Sequence, residues 1–157
     1  MSTATQTVQP TQPTRTSPAT SAAQYVASAT ASGREGRAVT SDGRLDVTLA
    51  PPRELGGSGE GTNPEQLFAA GYAACFASAL GLVARQRRVE DFDVDVTADV
   101  SLSGNGRAGF GLSVVLHVEL PEGVDQALGR ELVDIAHQVC PYSNATRGNI
   151  PVELVVE

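Results

Sequence analysis

A long apolar segment in the middle of the chain, from Pro64 to Arg87, constrains the fold more than any other feature. Its residues have helical character and are apolar on nearly every face until Arg85, and its arginines suit the negative C-terminal end of a helix. A helix without a polar face has to be covered on most sides. We therefore expect a central, buried helix.

The residues before this segment form a helix start signal. Asn63 suits the N-cap, Pro64 the first helical position and Gln66 the third, so that Asn63 and Gln66 would cap the helix together. Thr62 with Glu65 also fits a capping box, which leaves the start uncertain by one residue.

Segments of alternating polarity predict strands on both sides of this helix. They are residues 25–31, 37–41, 45–49, 92–102, 110–120 and 150–156. A turn at residues 41–44 makes a β-hairpin, and a turn at residues 104–106 makes a second antiparallel pair. Residues 51–61 are too rich in glycine and proline for regular structure.

A second, amphipathic helix is expected over residues 125–139, and Pro141 ends it. The fold class is therefore α+β, with antiparallel sheets, a buried central helix and a second helix. Residues 1–21 are rich in Thr, Ser, Pro and Gln and predict a disordered arm, whereas residues 22–157 predict one globular domain.

Charge and composition exclude several classes of function. The net charge is −7, and no arginine-rich face offers clustered positive charge to nucleic acid or to a membrane surface. Every basic side chain is an arginine, which excludes lysine Schiff bases and phosphate-loop lysines. The sequence shows neither a secretory signal nor an apolar stretch judged long enough to span a bilayer, so we expect a cytoplasmic protein.

The chain has two cysteines, Cys75 and Cys140, each in an apolar, helix-like stretch with distinctive polar residues nearby. This pair suggests a nucleophile and its partner, and in a reducing compartment any bond between them would form and break during turnover. Burial disfavours the reactive thiolate, and Cys75 lies about 15 Å from the helix start, beyond the reach of the helix dipole. A guanidinium about 4 Å away would favour the thiolate by up to about 4 kcal/mol, before the cost of desolvation.

The residues alone do not decide which arginine would supply this charge. Arg34, Arg37, Arg53 and Arg147 are all candidates, and each is more often a solvated surface charge.

Other conspicuous residues have plainer interpretations. His137, one helical turn before Cys140, could shuttle protons but is better explained as a hydrogen-bonded structural histidine. His117 has no neighbouring Cys/His cluster in the sequence, so we expect no metal. The glycine-rich segment at residues 56–61 lacks the ending of a phosphate loop and suits a lid or wall beside the site.

Two long motifs resemble the organic hydroperoxide resistance (Ohr) branch of the OsmC/Ohr superfamily. They are Gly61-Thr-Asn-Pro-Glu-Gln-Leu-Phe-Ala-Ala-Gly-Tyr-Ala-Ala-Cys-Phe76 and Val139-Cys-Pro-Tyr-Ser-Asn-Ala-Thr-Arg-Gly-Asn149. The resemblance runs from about Tyr25 to the C-terminus and includes the residues Gly33 to Gly36. It makes residues 22–157 an OsmC/Ohr-like peroxidase domain.

The resemblance implies roles for particular residues. Cys75 is expected to be the peroxidatic nucleophile and Cys140 the resolving thiol, with Arg34 as the active-site arginine and Glu65 as the carboxylate that holds it. The expected reaction reduces an organic or lipid hydroperoxide to an alcohol through a Cys75 sulfenic acid and a Cys75–Cys140 disulfide. No cofactor is expected to be bound, and a dihydrolipoyl group on a lipoylated protein is the expected external reductant.

The aromatic residues beside the cysteines, Tyr72, Phe76 and Tyr142, are adequately explained by packing but could also bind an apolar substrate. Of the three, Tyr142 lies beside the resolving cysteine.

Spacing along the central helix argues for two subunits. Glu65 and Cys75 would lie about 15 Å apart on one helix, yet both must approach one arginine. We therefore expect an intertwined homodimer, as the resemblance also implies, in which Arg34 and Glu65 of one subunit meet Cys75 and Cys140 of the other. Two alternatives remain: an OsmC-like general peroxidase, and a non-catalytic protein that binds apolar ligands.

Overall fold

The computed structural model describes residues 23–104 and 109–157. The expected disordered arm and most of the turn at residues 104–106 lie outside this range. The division of the chain near residue 22 stays a prediction.

The first sheet has three short antiparallel strands: β1 (Ala29–Ala31), β2 (Arg37–Thr40) and β3 (Asp46–Thr48). The predicted hairpin joins β2 to β3, with Arg37 opposite Thr48. Its turn includes Gly43 at φ 71°, where glycine avoids the strain that a side chain would introduce. The following glycine- and proline-rich segment is irregular, except for a 3₁₀ turn at Arg53–Leu55.

The central helix, α1 (Pro64–Gln86), starts as the first of the two registers predicts. The Asn63 side chain accepts a hydrogen bond from the Gln66 backbone N–H at 2.9 Å, and Gln66 Oε1 accepts one from the Asn63 N–H at 3.1 Å. Thr62 and Glu65 therefore do not form the capping box. Instead, the Thr62 hydroxyl donates to Gln66 Oε1 at 2.8 Å.

Only part of α1 is covered within one chain. Tyr72, Phe76 and Leu80 are fully buried, whereas Leu82 is 44% exposed. By length and composition α1 could cross a bilayer, since it has 23 residues and a mean hydropathy of 1.9. The expectation that no segment is long enough to do so was therefore wrong. Since its buried side chains form the core of an α+β fold, we interpret α1 as a core helix.

The second sheet has the order β4 (Asp95–Gly104), β5 (Phe110–Glu119) and β6 (Val152–Val156). β4 and β5 are antiparallel, as expected, and Val114, Leu116 and Val118 are the buried residues of β5. β6 pairs with β5 in parallel, which periodicity could not indicate. The two helices that follow β5 return the chain to the end where β5 begins, so β6 runs in the same direction.

Two helices connect β5 to β6. α2 (Gln126–Val139) is capped by Asp125, whose side chain accepts hydrogen bonds from the N–H groups of Ala127 and Leu128. Pro141 ends α2, as predicted, because its ring cannot continue that helix. It also opens a short helix, α3 (Pro141–Thr146), which was not predicted, because proline at the first helical position costs no hydrogen bond. The α+β class, the antiparallel pairs and both predicted helices are confirmed, whereas the parallel strand β6 makes the second sheet mixed and α3 is an additional helix.

The capping of α1 can be tested through the stability of the protein. Asn63→Ala removes the acceptor of the 2.9 Å bond from Gln66, so we expect the free energy of unfolding to fall by about 1 kcal/mol. Urea denaturation followed by circular dichroism at a fixed protein concentration measures the change. Asn149→Ala, at an exposed residue with no side-chain hydrogen bond in the described part of the chain, is the control. Equal stability of the two variants would contradict the role of the cap.

Candidate active site

The two cysteines lie next to each other although 65 residues separate them in the sequence. The Cys140 thiol donates a hydrogen bond to Cys75 Sγ at 3.5 Å, and both thiols are free. A disulfide would need about 2.05 Å, so this is a reduced pair within easy reach of bonding. Cys140 is fully buried and Cys75 is half-buried.

The position of Cys140 follows from the junction of α2 and α3. Its N–H still donates to Ala136 O at 2.8 Å, as in α2, while its own carbonyl accepts from Asn144 N at 3.0 Å in α3. Its extended backbone, with φ −63° and ψ 124°, separates the two helices. Because Pro141 prevents α2 from continuing, the chain turns at Cys140 and directs its sulfur toward α1.

Burial raises the pKa of the Cys75 thiol, and it is the largest influence on that group. The backbone N–H of Tyr142 hydrogen-bonds to Cys75 and acts in the opposite direction, while the nearby Cys140 thiol raises the pKa further. Among the residues that the structure describes, no cation contributes to this balance. Within one chain, therefore, the site disfavours the reactive thiolate.

Arg34 and Glu65 form an ion pair within the same chain. Arg34 Nη2 lies 3.0 Å from both carboxylate oxygens of Glu65. A single guanidinium nitrogen thus bridges both carboxylate oxygens. The Arg34 side chain remains 49% exposed, against 17% for Glu65, so much of the guanidinium is open to other partners.

The other three candidate arginines have partners elsewhere. Arg37 pairs with Asp46, and Arg53 donates to Ser58 O. Arg147 donates at 2.7 Å to His137 O and also to a side chain of α3. Among the described residues, no arginine hydrogen-bonds to either sulfur. The expected meeting of Arg34 with Cys75 across two subunits stays a prediction.

The aromatic side chains near the cysteines differ in exposure. Tyr72 and Phe76 have 0% exposure and face the core, so they offer no surface to a substrate in this structure. Their burial agrees with the packing interpretation, and a substrate-lining role for them stays a prediction. Tyr142 is 38% exposed and packs against Tyr72, with ring centroids 5.7 Å apart, so its substrate-binding role stays a prediction.

Two cavities lie beside the Arg34–Glu65 pair, and neither is lined by a cysteine. One, of about 380 Å³, is mainly apolar and is lined by Arg34, Pro51, Leu55, Leu102 and Phe110. The other, of about 360 Å³, is lined by Glu65 and shares Leu55 and Leu102 with the first. An apolar pocket next to a guanidinium suits an amphipathic ligand.

A cluster of hydrogen-bonded polar side chains lies beneath Cys140, and the sequence indicated only one of them, His137. His137 Nδ1 lies 3.0 Å from Ser143 Oγ, which supports the structural interpretation of this histidine. Ser143 Oγ lies 2.9 Å from the Tyr72 hydroxyl, which in turn lies 3.2 Å from Thr146 Oγ1. Ser143 and Thr146 are three residues apart, which places them on one face of a helix. This signal was not used because α3 was not predicted.

His117 belongs to the outer face of the second sheet. Its Nε2 lies 3.2 Å from Asp99 and its Nδ1 lies 3.4 Å from Glu157. The described residues contain no group of three or more His, Cys, Asp or Glu side chains that could hold a metal.

Comparison with known proteins agrees with the fold. Residues 57–155 match the family of OsmC-like proteins. An organic hydroperoxide resistance protein of Xanthomonas axonopodis pv. citri (strain 306) is 56% identical over 135 residues, which is 84% of this chain and 94% of the relative.

Two solved structures extend the similarity to three dimensions. An organic hydroperoxide resistance protein from Legionella pneumophila is 51% identical with a TM-score of 0.82, covering 86% of this chain and 98% of the other. OhrB of Bacillus subtilis, also an organic hydroperoxide resistance protein, is 42% identical with a TM-score of 0.78, covering 86% and 100%. The chain therefore belongs to the OsmC/Ohr superfamily, in its organic hydroperoxide resistance branch.

Proposed function

We propose that this protein is a thiol peroxidase that reduces organic hydroperoxides, including lipid hydroperoxides, to alcohols. The observation that carries the proposal is the contact between the two free thiols, with Cys140 Sγ 3.5 Å from Cys75 Sγ, in a member of the organic hydroperoxide resistance branch. A buried pair of thiols at this distance suits two-electron chemistry that alternates between dithiol and disulfide.

The proposed cycle has three balanced steps. The Cys75 thiolate attacks the outer peroxide oxygen, the O–O bond breaks, and the alkoxide takes up a proton to leave as an alcohol, so that Cys75 becomes a sulfenic acid. The Cys140 thiol then displaces water from the sulfenic acid and forms the disulfide. Finally, a dihydrolipoyl group of a lipoylated protein gives two electrons and two protons, restoring both thiols and becoming a cyclic disulfide.

Cys75 and Cys140 are thus the proposed nucleophile and resolving residue, and Cys75 is the more accessible of the two. No bound cofactor takes part in the cycle. The cytoplasm is the proposed compartment, because a reducing environment keeps both thiols available between turnovers.

The proposed first step needs a cation that one chain does not bring to Cys75. Burial holds the pKa of this thiol above its ordinary value. We assign the missing charge to Arg34 of a second subunit, held by Glu65 of that same subunit, in a homodimer. The 49% exposure of Arg34 and the uncovered apolar side of α1, including Leu82, support this arrangement.

The substrate class follows from the cavity beside Arg34. Leu55, Leu102 and Phe110 line it, and Phe110 is 73% exposed, so an alkyl chain would bury apolar surface there. Hydrogen peroxide has no such chain and would gain nothing from these residues. Tyr142 is a further proposed contact for the substrate.

The role of each cysteine predicts a distinct phenotype. We expect Cys75→Ser to abolish consumption of cumene hydroperoxide, because it removes the nucleophile. Cys140→Ser should react once and then retain a sulfenic acid at Cys75, because no resolving thiol remains. Peroxide consumption with dihydrolipoamide and mass spectrometry of the intact protein measure both results. Turnover by Cys75→Ser would refute the mechanism, whereas a wild-type protein that consumes no cumene hydroperoxide would favour the non-catalytic binder.

The shared site can be tested by mixing two inactive proteins. Arg34→Ala should lose activity about a hundredfold, since it removes a donor that stabilises the developing oxyanion. The pKa of Cys75, measured by the pH dependence of its alkylation, should rise because the thiolate loses a cation. Co-refolding Arg34→Ala with Cys75→Ser should restore about a quarter of the wild-type activity, because half of the dimers are mixed and each carries one complete site.

The mixing experiment has a clear negative outcome. If Arg34 served Cys75 of its own subunit, no mixed dimer would contain a complete site and no activity would return. Arg44→Ala is the matched control, because Arg44 is exposed and pairs only locally with Asp42. It should keep full activity alone.

Substrate preference separates the proposed enzyme from a general peroxidase. We expect kcat/KM to be at least about tenfold higher for a fatty-acid hydroperoxide than for hydrogen peroxide, because the alkyl chain adds binding energy in the transition state. Leu102→Ser should reduce that preference while leaving the rate with hydrogen peroxide unchanged. Equal rates with both peroxides in the wild type would favour the OsmC-like general peroxidase.

A further inference from the structure

Three buried side chains with hydroxyl groups and one half-buried histidine tie the short helix α3 to its neighbours, and we call them the α3 anchor: Tyr72, Ser143, Thr146 and His137. They come from three helices, because Tyr72 belongs to α1, His137 to α2 and the other two to α3. Tyr72 and Ser143 are fully buried and Thr146 is 3% exposed. Every buried side-chain polar atom in the described residues has a hydrogen-bond partner.

One arrangement of hydrogens satisfies all four groups. Thr146 donates to a backbone carbonyl within α3, at 3.0 Å from Tyr142 O, so its oxygen is free to accept from the Tyr72 hydroxyl. Ser143 can then donate to Tyr72 and accept from His137 Nδ1–H. His137 suits this role as a neutral donor, because burial, and next Arg147, lower its pKa.

The anchor lies directly behind the groups that contact Cys75. Cys140 immediately precedes α3, and its sulfur is the one 3.5 Å from Cys75. Tyr142 supplies the backbone N–H that hydrogen-bonds to the same sulfur. Ser143 is the next residue, so any rotation or shift of α3 that breaks its bonds to Tyr72 and His137 also moves both contacts of Cys75.

We propose that Tyr72, Ser143 and Thr146 are positioning residues that hold α3 so that the Cys140 thiol reaches the oxidised Cys75. This inference rests on the proposed function, since it concerns the step in which the sulfenic acid condenses with Cys140 to give the disulfide and water. The sulfurs must close from 3.5 Å to about 2.05 Å in that step. With α3 fixed through its hydroxyl groups, that approach needs movement of the Cys140 side chain and not of the helix.

Directional bonds explain why this junction uses hydroxyl groups where apolar side chains would also fill the space. Apolar packing around α3 would tolerate a sliding or rotating helix, because dispersion and hydrophobic contacts have little directionality. Linked hydrogen bonds in a buried site fix orientation, and each broken bond leaves a buried polar group unpaired. The anchor therefore favours one orientation of Cys140.

The lifetime of the sulfenic acid tests the inference. After one equivalent of cumene hydroperoxide, dimedone added at increasing delays traps the sulfenic acid that remains at Cys75, and mass spectrometry quantifies it. Tyr72→Phe deletes a single oxygen atom, and we expect it to lengthen the lifetime about fivefold relative to the wild type, the effect of one lost buried hydrogen bond. The oxidation of Cys75 by peroxide should still proceed to completion.

A pair of substitutions at Thr146 gives an independent measurement. Thr146→Val keeps the shape and removes the hydroxyl, so the lifetime should lengthen, whereas Thr146→Ser keeps the hydroxyl and should retain the wild-type lifetime. Tyr25→Phe, at a tyrosine that is 82% exposed, is the matched control for Tyr72→Phe. Val118→Ala, in the buried part of β5, controls for lost stability and should leave the lifetime unchanged.

The outcomes separate this inference from the proposed function. A wild-type lifetime in both Tyr72→Phe and Thr146→Val would overturn the inference while the function stands. A lifetime that lengthens equally in Val118→Ala would also overturn it, because the effect would then follow stability. A wild-type protein that forms neither the sulfenic acid nor the disulfide would overturn the proposed function and the inference together.

Discussion

Packing of the apolar helix α1 (Pro64–Gln86) is the constraint on which the rest of the structure depends. Its buried side brings Tyr72, Phe76 and Leu80 against the second sheet and against α2. The same packing places Cys75, which is on α1, beside the junction of α2 and α3. Because one small sheet cannot cover a helix that is apolar on nearly every face, part of α1, including Leu82, stays exposed within one chain.

The site combines two demands that oppose each other. Burial shields the thiol pair from water, but it also raises the pKa of Cys75 and so disfavours the reactive form. In the described part of the chain, the polar groups that act on this sulfur are a second thiol and a backbone N–H, which do not offset the effect of burial. The exposed guanidinium of Arg34, fixed at one end by Glu65, has the charge that the sulfur lacks. A composite site in a dimer would satisfy both demands.

Local patterns in the sequence predict some structural features of this protein and not others. The N-cap at Asn63, the end of α2 at Pro141 and the alternating strands depend on neighbours within a few residues, so local patterns predict them. The parallel direction of β6 and the helix α3 depend on how the chain returns across the core, which no local pattern encodes. The sequence left open whether Tyr72 and Phe76 pack in the core or line a pocket, because adjacency to a cysteine does not reveal which way a side chain faces.

The sequence by itself determined the apolar helix, the class of fold, the pair of thiols and, through its two motifs, the resemblance to a family of peroxide resistance proteins. These properties follow from the composition of the chain, the periodicity of its apolar residues and the spacing of its motifs. Only the tertiary structure decided that Cys140 lies 3.5 Å from Cys75, that Arg34 pairs with Glu65, and that three hydroxyl groups and a histidine hold α3 in place. Those contacts join residues that are far apart in the chain, and their distances depend on the packing of whole helices and sheets.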